Sequence, residues 1–324
     1  GARSLAPISE RGAAVVMTIS NALQGRLKQV HKRWPQHLYL LVVLGPITIG
    51  YLVIRIIPMG YTIYMSFHNW HLARPHKPFI GFLNYINLMS DDLFLRAFKN
   101  TTVYAAVGVV VTLLLALILG VMLDRRMKWR FDSVYKLLYF LPAIPTLVPM
   151  SVVWKWIYDP SYGLLNYAVG IFKIPPQGWL INPKLALGSI ILMSIWKSVG
   201  YYMVLFLVGL KDIPDQYYEA ADIDGCNSWQ KFWMITAPLL RHMTLFNLVM
   251  ATMMAYNVFA PVYVMTTGEQ GAAANPVRVL VFDMYENGFR YLKMGYASAE
   301  AVILLTLVMV LTILQLKVFR ISED

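Results

Sequence analysis

From Thr101 to Leu123 the chain carries no charged side chain. A hydrocarbon slab of about 30 Å is crossed by about 20 such residues in a helix, and irregular backbone facing lipid would leave its polar groups without partners. Five further apolar runs lie near residues 38 to 66, 134 to 157, 185 to 210, 243 to 265 and 297 to 319. With 58% hydrophobic and 14% charged residues among 324, the composition departs from that of a soluble domain in the same direction. The expected fold class is an all-α integral membrane protein of about six transmembrane helices forming one bundle. Its expected divisions are an N-terminal segment, residues 1 to 37, a membrane domain, 38 to 320, carrying a polar loop at 211 to 242, and a tail, 321 to 324.

Two runs carry helix breakers. Arg55 and Pro58 in the first predict a tilt or a kink. The third holds Pro142, Pro145 and Pro149; the backbone groups they free must find neighbouring helices or water, so this span either lines something or is simply kinked.

The formal net charge of +11 is a topology signal, not the mark of a nucleic-acid binder. Sixteen Lys and Arg fall in the N-terminal segment, the loops after spans two and four and the C-terminus, against nine on the opposite side. The positive-inside rule then places both termini, and the polar loop, in the cytoplasm. Trp154, Trp156 and Tyr158 read as an interfacial aromatic belt, and "IPPQGWLINP" as an ordered external loop. The first 36 residues do not resemble a cleavable signal; "GRLKQVHKRW" fits an interfacial helix or a plain basic anchor. The single Cys226 excludes an internal disulfide, and the six histidines, in loops or at span ends, are expected at the surface.

The loop itself, "YYEAADIDGCNSWQKFWMITAPLL", is the polar exception, with five carboxylates between Asp212 and Asp224. Pro214 and Asp215 suit the first turn of a helix. Gly225 suits its left-handed close, and Ser228 the cap of a second helix that Pro238 ends. Ala220 and Ala221 would let another surface approach the backbone, Glu219 offers a charge to an arginine, and Trp229, Phe232, Trp233 and Ile235 would pack on the bundle. Such a rigid plug docks on a soluble partner; the alternative is an amphipathic helix on the lipid, which five acids beside an anionic leaflet disfavour.

"EAADIDGCNSWQKFWMITAP" resembles the conserved loop of binding-protein-dependent ABC importer permeases: EAA, three residues, G, nine residues, I, one residue, L-P. Glu219, Ala220, Ala221, Gly225, Ile235 and Pro238 fall on that spacing, and Ala237 replaces the Leu. "VVWKWIYDPSYGLLN", "IWKSVGYYMVLFLVGLKDIP", "VYVMTTG" and "MGYASAEAVILL" resemble blocks of the carbohydrate-uptake, maltose-type branch, so the likeness runs from about residue 38 onward. After "TTG" that branch continues G-P, where this chain has Glu269, Gln270 and Gly271.

The resemblance implies a type I ABC importer permease fold in a bacterial inner membrane. It also implies a second homologous permease, a dimeric cytoplasmic ATPase that uses ATP and Mg, and a solute-binding protein delivering an oligosaccharide. This chain has no GxxxxGK[ST] loop and no HExxH, paired-Cys or G-x-S-x-G motif, so no cofactor or catalytic residue is expected in it. By the same resemblance the ATPase contacts are Glu219, Ala220, Ala221, Gly225, Ile235 and Pro238. The substrate path comprises Ser194, Trp196, Lys197, Ser198 and Tyr201 on span four and Met254, Ala255, Tyr256, Asn257 and Val258 on span five. Lys197, a costly charge within a span, either neutralises an acidic, alginate-like sugar or has a structural partner. The alternatives are a stand-alone secondary sugar transporter, which calls for inverted repeats and intramembrane acids, and a membrane scaffold that recruits a soluble protein.

Overall fold

The computed structural model describes residues 36–124, 132–266 and 277–320; "GRLKQVHKRW", the basic loop at 125–130 and Glu269, Gln270 and Gly271 lie outside the described residues. Among the described residues the chain is almost wholly helical, with an isolated bridge between His68 and Phe79. Five helices are long and apolar enough to cross a membrane, and a bent pair makes up a sixth span. Contacts divide the chain into two units, Gly1–Tyr61 and Thr62–Asp324, where one bundle was expected.

In the first unit α1 (Gln36–Tyr51) passes through a π-helical turn, Leu52–Ile56, into α2 (Ile57–Ser66), whose residues from Thr62 onward belong to the second unit. Pro58 follows that turn by two residues. A proline ring collides with the carbonyl four residues back, here that of Ile54, and the wider turn moves this carbonyl aside.

The second unit is built around two parallel helices, α4 (Asp92–Met122) and α8 (Pro183–Lys211), once the short α3 (Leu83–Met89) is passed. Asp91 caps α4 through Leu93 N at 2.9 Å, and Asn182 caps α8, where Pro183 needs no N–H partner. Small residues allow their close approach: a methyl group on Gly120 would meet Phe206 Cβ at 3.2 Å. Between them in sequence, α5 (Asp132–Phe140), a 3₁₀ turn at Leu141–Ala143, and α6 (Leu147–Ile157) form the bent pair, with an angle of 95°.

Beyond α6, Tyr158 is buried and donates to Ser189 O at 2.8 Å. It is therefore not part of an interfacial belt, whereas Trp156 is exposed. After α7 (Leu164–Gly170), the loop "IPPQGWLINP" is held by Asn166, whose Oδ1 accepts from Gln177 N at 3.0 Å and Trp179 Nε1 at 2.8 Å. His68 is likewise buried, with Nδ1 2.9 Å from Tyr64 O, contrary to its expected surface position.

The polar loop contributes α9 (Asp215–Ile223), α10 (Ser228–Lys231) and α11 (Ala237–Leu239). Next, α12 (Arg241–Tyr256) runs antiparallel to α8, with Gly209 set against Leu240 and Met243. The fifth span is interrupted: Asn257 to Phe259 separate α12 from α13 (Ala260–Thr266). After α14 (Leu280–Tyr285) and a π turn at Glu286–Arg290, α15 (Met294–Arg320) closes the unit. Buried polar groups fasten this segment: Leu280 N donates to Thr101 Oγ1 at 2.9 Å, Asn100 Nδ2 to Arg278 O at 2.9 Å, and Asn287 Nδ2 to Glu300 Oε1 at 2.7 Å.

Candidate functional site

Two places concentrate chemistry: the helical elbow between α8 and α12, and a cavity inside the membrane-spanning part.

In the elbow α9 starts at Asp215, with Pro214 as its N-cap residue. It ends in a complete Schellman motif: Cys226 N donates to Ala221 O at 2.9 Å, Gly225 N to Asp222 O at 3.2 Å, and Gly225 has φ +75°. The second helix is capped by Asn227, not Ser228. Asn227 Oδ1 accepts from Gln230 N at 2.9 Å while Asn227 N donates to Gln230 Oε1 at 2.8 Å, a capping box that Ser228 does not join. Pro238 does not end this helix. A π turn at Phe232–Thr236 precedes it by two residues, as at Pro58, and the helix runs on through Leu239. Tyr218 OH and Thr236 Oγ1, 2.8 Å apart, and the Lys231–Asp222 ion pair tie the two arms together.

Glu219 and Ala220 are exposed, but Ala221 is buried, so α9 offers one alanine outward and uses the other for packing. Phe232 and Ile235 are partly buried. Trp229 and Trp233 are 70% and 55% exposed, and so do not form the inward face expected of them. The elbow presents an acidic, small-residue surface and, beside it, an aromatic one.

The cavity has a volume of about 760 Å³. Ser194, Lys197, Ser198 and Tyr201 line it from α8, and Met254, Ala255, Asn257 and Val258 from the end of α12 and the break beyond. Trp196 and Tyr256 are not among its lining residues: Trp196 is edge-on to Trp154 at 5.3 Å, and Tyr256 is buried among Leu280, Ala105 and Phe94. Tyr104, Gly108 and Thr112 of α4 complete the wall. Sequence reading passed them over, although their i, i+4, i+8 spacing puts them on one helix face, and Tyr104 hydrogen-bonds Ser194.

Both interrupted spans open onto this cavity, at Ala143 to Leu147 and at Asn257 to Pro261. Broken helices present backbone donors and acceptors where a regular helix would hide them. Asn257 Nδ2 turns back to Met253 O at 2.7 Å. Among the described residues lining the cavity Lys197 is the single charged one; its Nζ donates to Pro145 O at 2.8 Å, Ala143 O at 3.3 Å and Pro142 O at 3.5 Å. The space is thus an apolar chamber with hydroxyl, amide, phenol and backbone groups at its edges. It can take up a molecule that has both ring faces and hydrogen-bonding rims.

Comparison with known proteins bears on both places. The family model described as "Binding-protein-dependent transport system inner membrane component" matches residues 112–320. The probable ABC transporter permease protein YurN of Bacillus subtilis is 32% identical over 85% of this chain and 94% of its own length. The trehalose/maltose transport system permease protein MalF of Thermococcus litoralis is 33% identical over 88% of this chain and 94% of its own. A solved chain of a bacterial ABC transporter involved in the import of the acidic polysaccharide alginate superposes with a TM-score of 0.78 at 21% identity, covering 92% of this chain and 100% of that one; this last is a likeness of fold.

Proposed function

The chain belongs to the inner-membrane component family of binding-protein-dependent transport systems, the permeases of ABC importers, and on that premise we propose that it forms, with a second homologous permease, the path of an oligosaccharide into the cell. It is a transport subunit and not an enzyme. A dimeric cytoplasmic ATPase, using ATP and Mg²⁺, moves the spans by gripping the elbow at the exposed Glu219, Ala220, Gly225 and Pro238, with Ala221 and Ile235 packed behind them. A solute-binding protein delivers the sugar from outside. Both termini and the elbow face the cytoplasm, the side favoured by sixteen Lys and Arg against nine.

The observation that carries this reading is the build of the elbow. A Schellman turn, a capping box and cross-arm contacts stiffen a piece that displays Glu219 and Ala220 outward. Stiffness is what a part needs if it is to pass on a movement made elsewhere. Lys231–Asp222 adds little, since an exposed ion pair contributes about 0–1 kcal/mol; the backbone motifs do most of the bracing.

For the substrate, support comes from the cavity's mixture of Tyr104 and Tyr201 faces with Ser194, Ser198, Thr112 and Asn257, and from relatives such as the trehalose/maltose permease. An acidic, alginate-like chain is the narrower form, supported by the fold likeness to the alginate importer. ATP hydrolysis and uptake by the reconstituted assembly, with its binding protein, against a panel of neutral and acidic saccharides tests both forms. Stimulation by a saccharide supports import; uptake driven by an ion gradient through this chain alone would establish the secondary transporter instead.

A further inference from the structure

The sequence around the third span explains a lysine that its own helix does not. In a continuous helix the carbonyl of residue i accepts from the N–H of residue i+4. Pro145 therefore removes the donor for Leu141 O, and Pro149 removes the donor for Pro145 O. Leu141 O is satisfied by a 3₁₀ turn, from Ile144 N at 3.2 Å. Pro145 O is satisfied by Lys197, and at 2.8 Å this is the shortest of that ammonium's three contacts. An ammonium has three N–H bonds. Three carbonyls of the break take them up.

The approach that makes this possible is built into α8 one turn further on. A methyl group on Gly200 would lie 1.9 Å from Tyr139 O, so the backbone of α5 rests directly on that of α8. The cation also sits where a helix ends, next to the negative pole of its dipole. A cation within a span is costly without partners; here the partly buried ammonium and the carbonyl orphaned by Pro149 answer each other.

We propose that Lys197 is a positioning residue for transport: it replaces the N–H group that Pro149 deletes and holds the two neighbouring carbonyls of Ala143 and Pro142, and so fixes the break of span three as a wall of the cavity, without serving as counter-ion to the sugar. The proposal rests on the reading of that cavity as the substrate path. It follows that Lys197 governs transport of neutral and acidic saccharides alike.

The test uses the complete assembly in proteoliposomes. Lys197→Met is expected to lower the maximal uptake of a neutral and an acidic saccharide by the same factor, roughly ten-fold or more from the loss of charge-assisted bonds, with KM unchanged. Lys197→Arg, which keeps the donors, is expected to recover much of it. A second readout does not need transport. In a Cys226→Ser background, the thiol of Thr146→Cys, on the break, is labelled with a maleimide; Lys197→Met should change its rate several-fold and Lys197→Arg should restore it.

Loss confined to the acidic saccharide, with a raised KM, would overturn the proposal, as would a Met variant with unaltered uptake and labelling. If Lys197→Met fails to assemble while Lys197→Arg assembles and labels as the parent does, the pin is supported; if neither assembles, the donors are not what the site requires and the proposal falls. Wild-type assembly that moves no saccharide would instead refute the substrate reading, and labelling would still judge the pin.

Discussion

Glu300 lies inside the sixth span and is fully buried, an acid in a place where hydropathy averages only register the apolar residues around it. Its Oε1 accepts from Asn287, and the Oδ1 of buried Asp283 accepts from Arg278 in an ion pair. The two carboxyls are hydrogen-bond neighbours, and their remaining oxygens, Glu300 Oε2 and Asp283 Oδ2, have no other donor. Burial pushes the Asp283 carboxyl above the usual carboxylate range although Arg278 pulls it back. One proton held between the two carboxyls would give both of these oxygens a partner. Glu300→Gln, which carries its own donor, should therefore keep the melting temperature of the purified assembly close to the parent's. Arg278→Met leaves buried acid unpaired and should cost about 3–5 kcal/mol. Equal losses in the two variants, read by thermal unfolding in detergent, would rule out the shared proton. A second single-residue forecast concerns Gly225: at φ +75° a β-branched side chain is strained, so Gly225→Val should destabilise the elbow by roughly 1–2 kcal/mol and speed its cleavage by protease.

At the scale of the element, long uniform spans were legible and broken ones were not. The apolar windows at 101 to 123, 185 to 210 and 297 to 319 coincide with the bodies of α4, α8 and α15. Hydropathy averages over the interruption at Asn257 to Phe259, so the fifth span looked continuous. The three prolines did mark the third span, but not its bend of 95°, because the residues that the bent pair rests on, Lys197 and Gly200, lie on another helix. Similarly, Trp229 and Trp233 read as core because their type is apolar, whereas the π turn beside them sets which face looks inward. The start of α9 at Asp215 and its left-handed close at Gly225 could be read from the sequence, yet the cap at Asn227 could not be told from Ser228 without the turn. Because the π turn at Phe232–Thr236 accommodates Pro238, Pro238→Ala should allow an α-helical register there. That change would rotate Thr236 relative to Tyr218 and break their 2.8 Å contact. Hydrogen exchange at Phe232 to Leu239 is expected to slow in this variant while uptake per ATP falls; unchanged exchange would show that the proline does not set the turn.

For the whole molecule, the question raised by the proposed function is how work done in an ATPase would reach the cavity. The cavity lies between α4, the breaks of spans three and five, and α8, while the elbow joins α8 to α12 through a turn at Leu240 that is itself buried. α8 and α12 pack antiparallel through Gly209 at the elbow end and through Tyr202 and Met254 at the cavity, where Tyr202 OH meets Met254 Sδ at 3.7 Å. Two packed helices thus connect α9 to residues that line the chamber, and we expect a push on α9 to travel along them. Glu219 faces outward at the start of that path and makes none of the contacts that brace the elbow. Its charge should then matter to docking and not to folding. Glu219→Lys should assemble in the membrane with unaltered thermal stability, yet lower uptake by at least about ten-fold, in line with reversing a charge at a protein interface, and leave the remaining ATP hydrolysis unresponsive to the loaded binding protein. If the proposed docking sets an ATPase arginine against Glu219, an ATPase with that arginine replaced by glutamate should recover part of the uptake. If Glu219→Lys imports at the parent's rate, force does not enter through this face of α9.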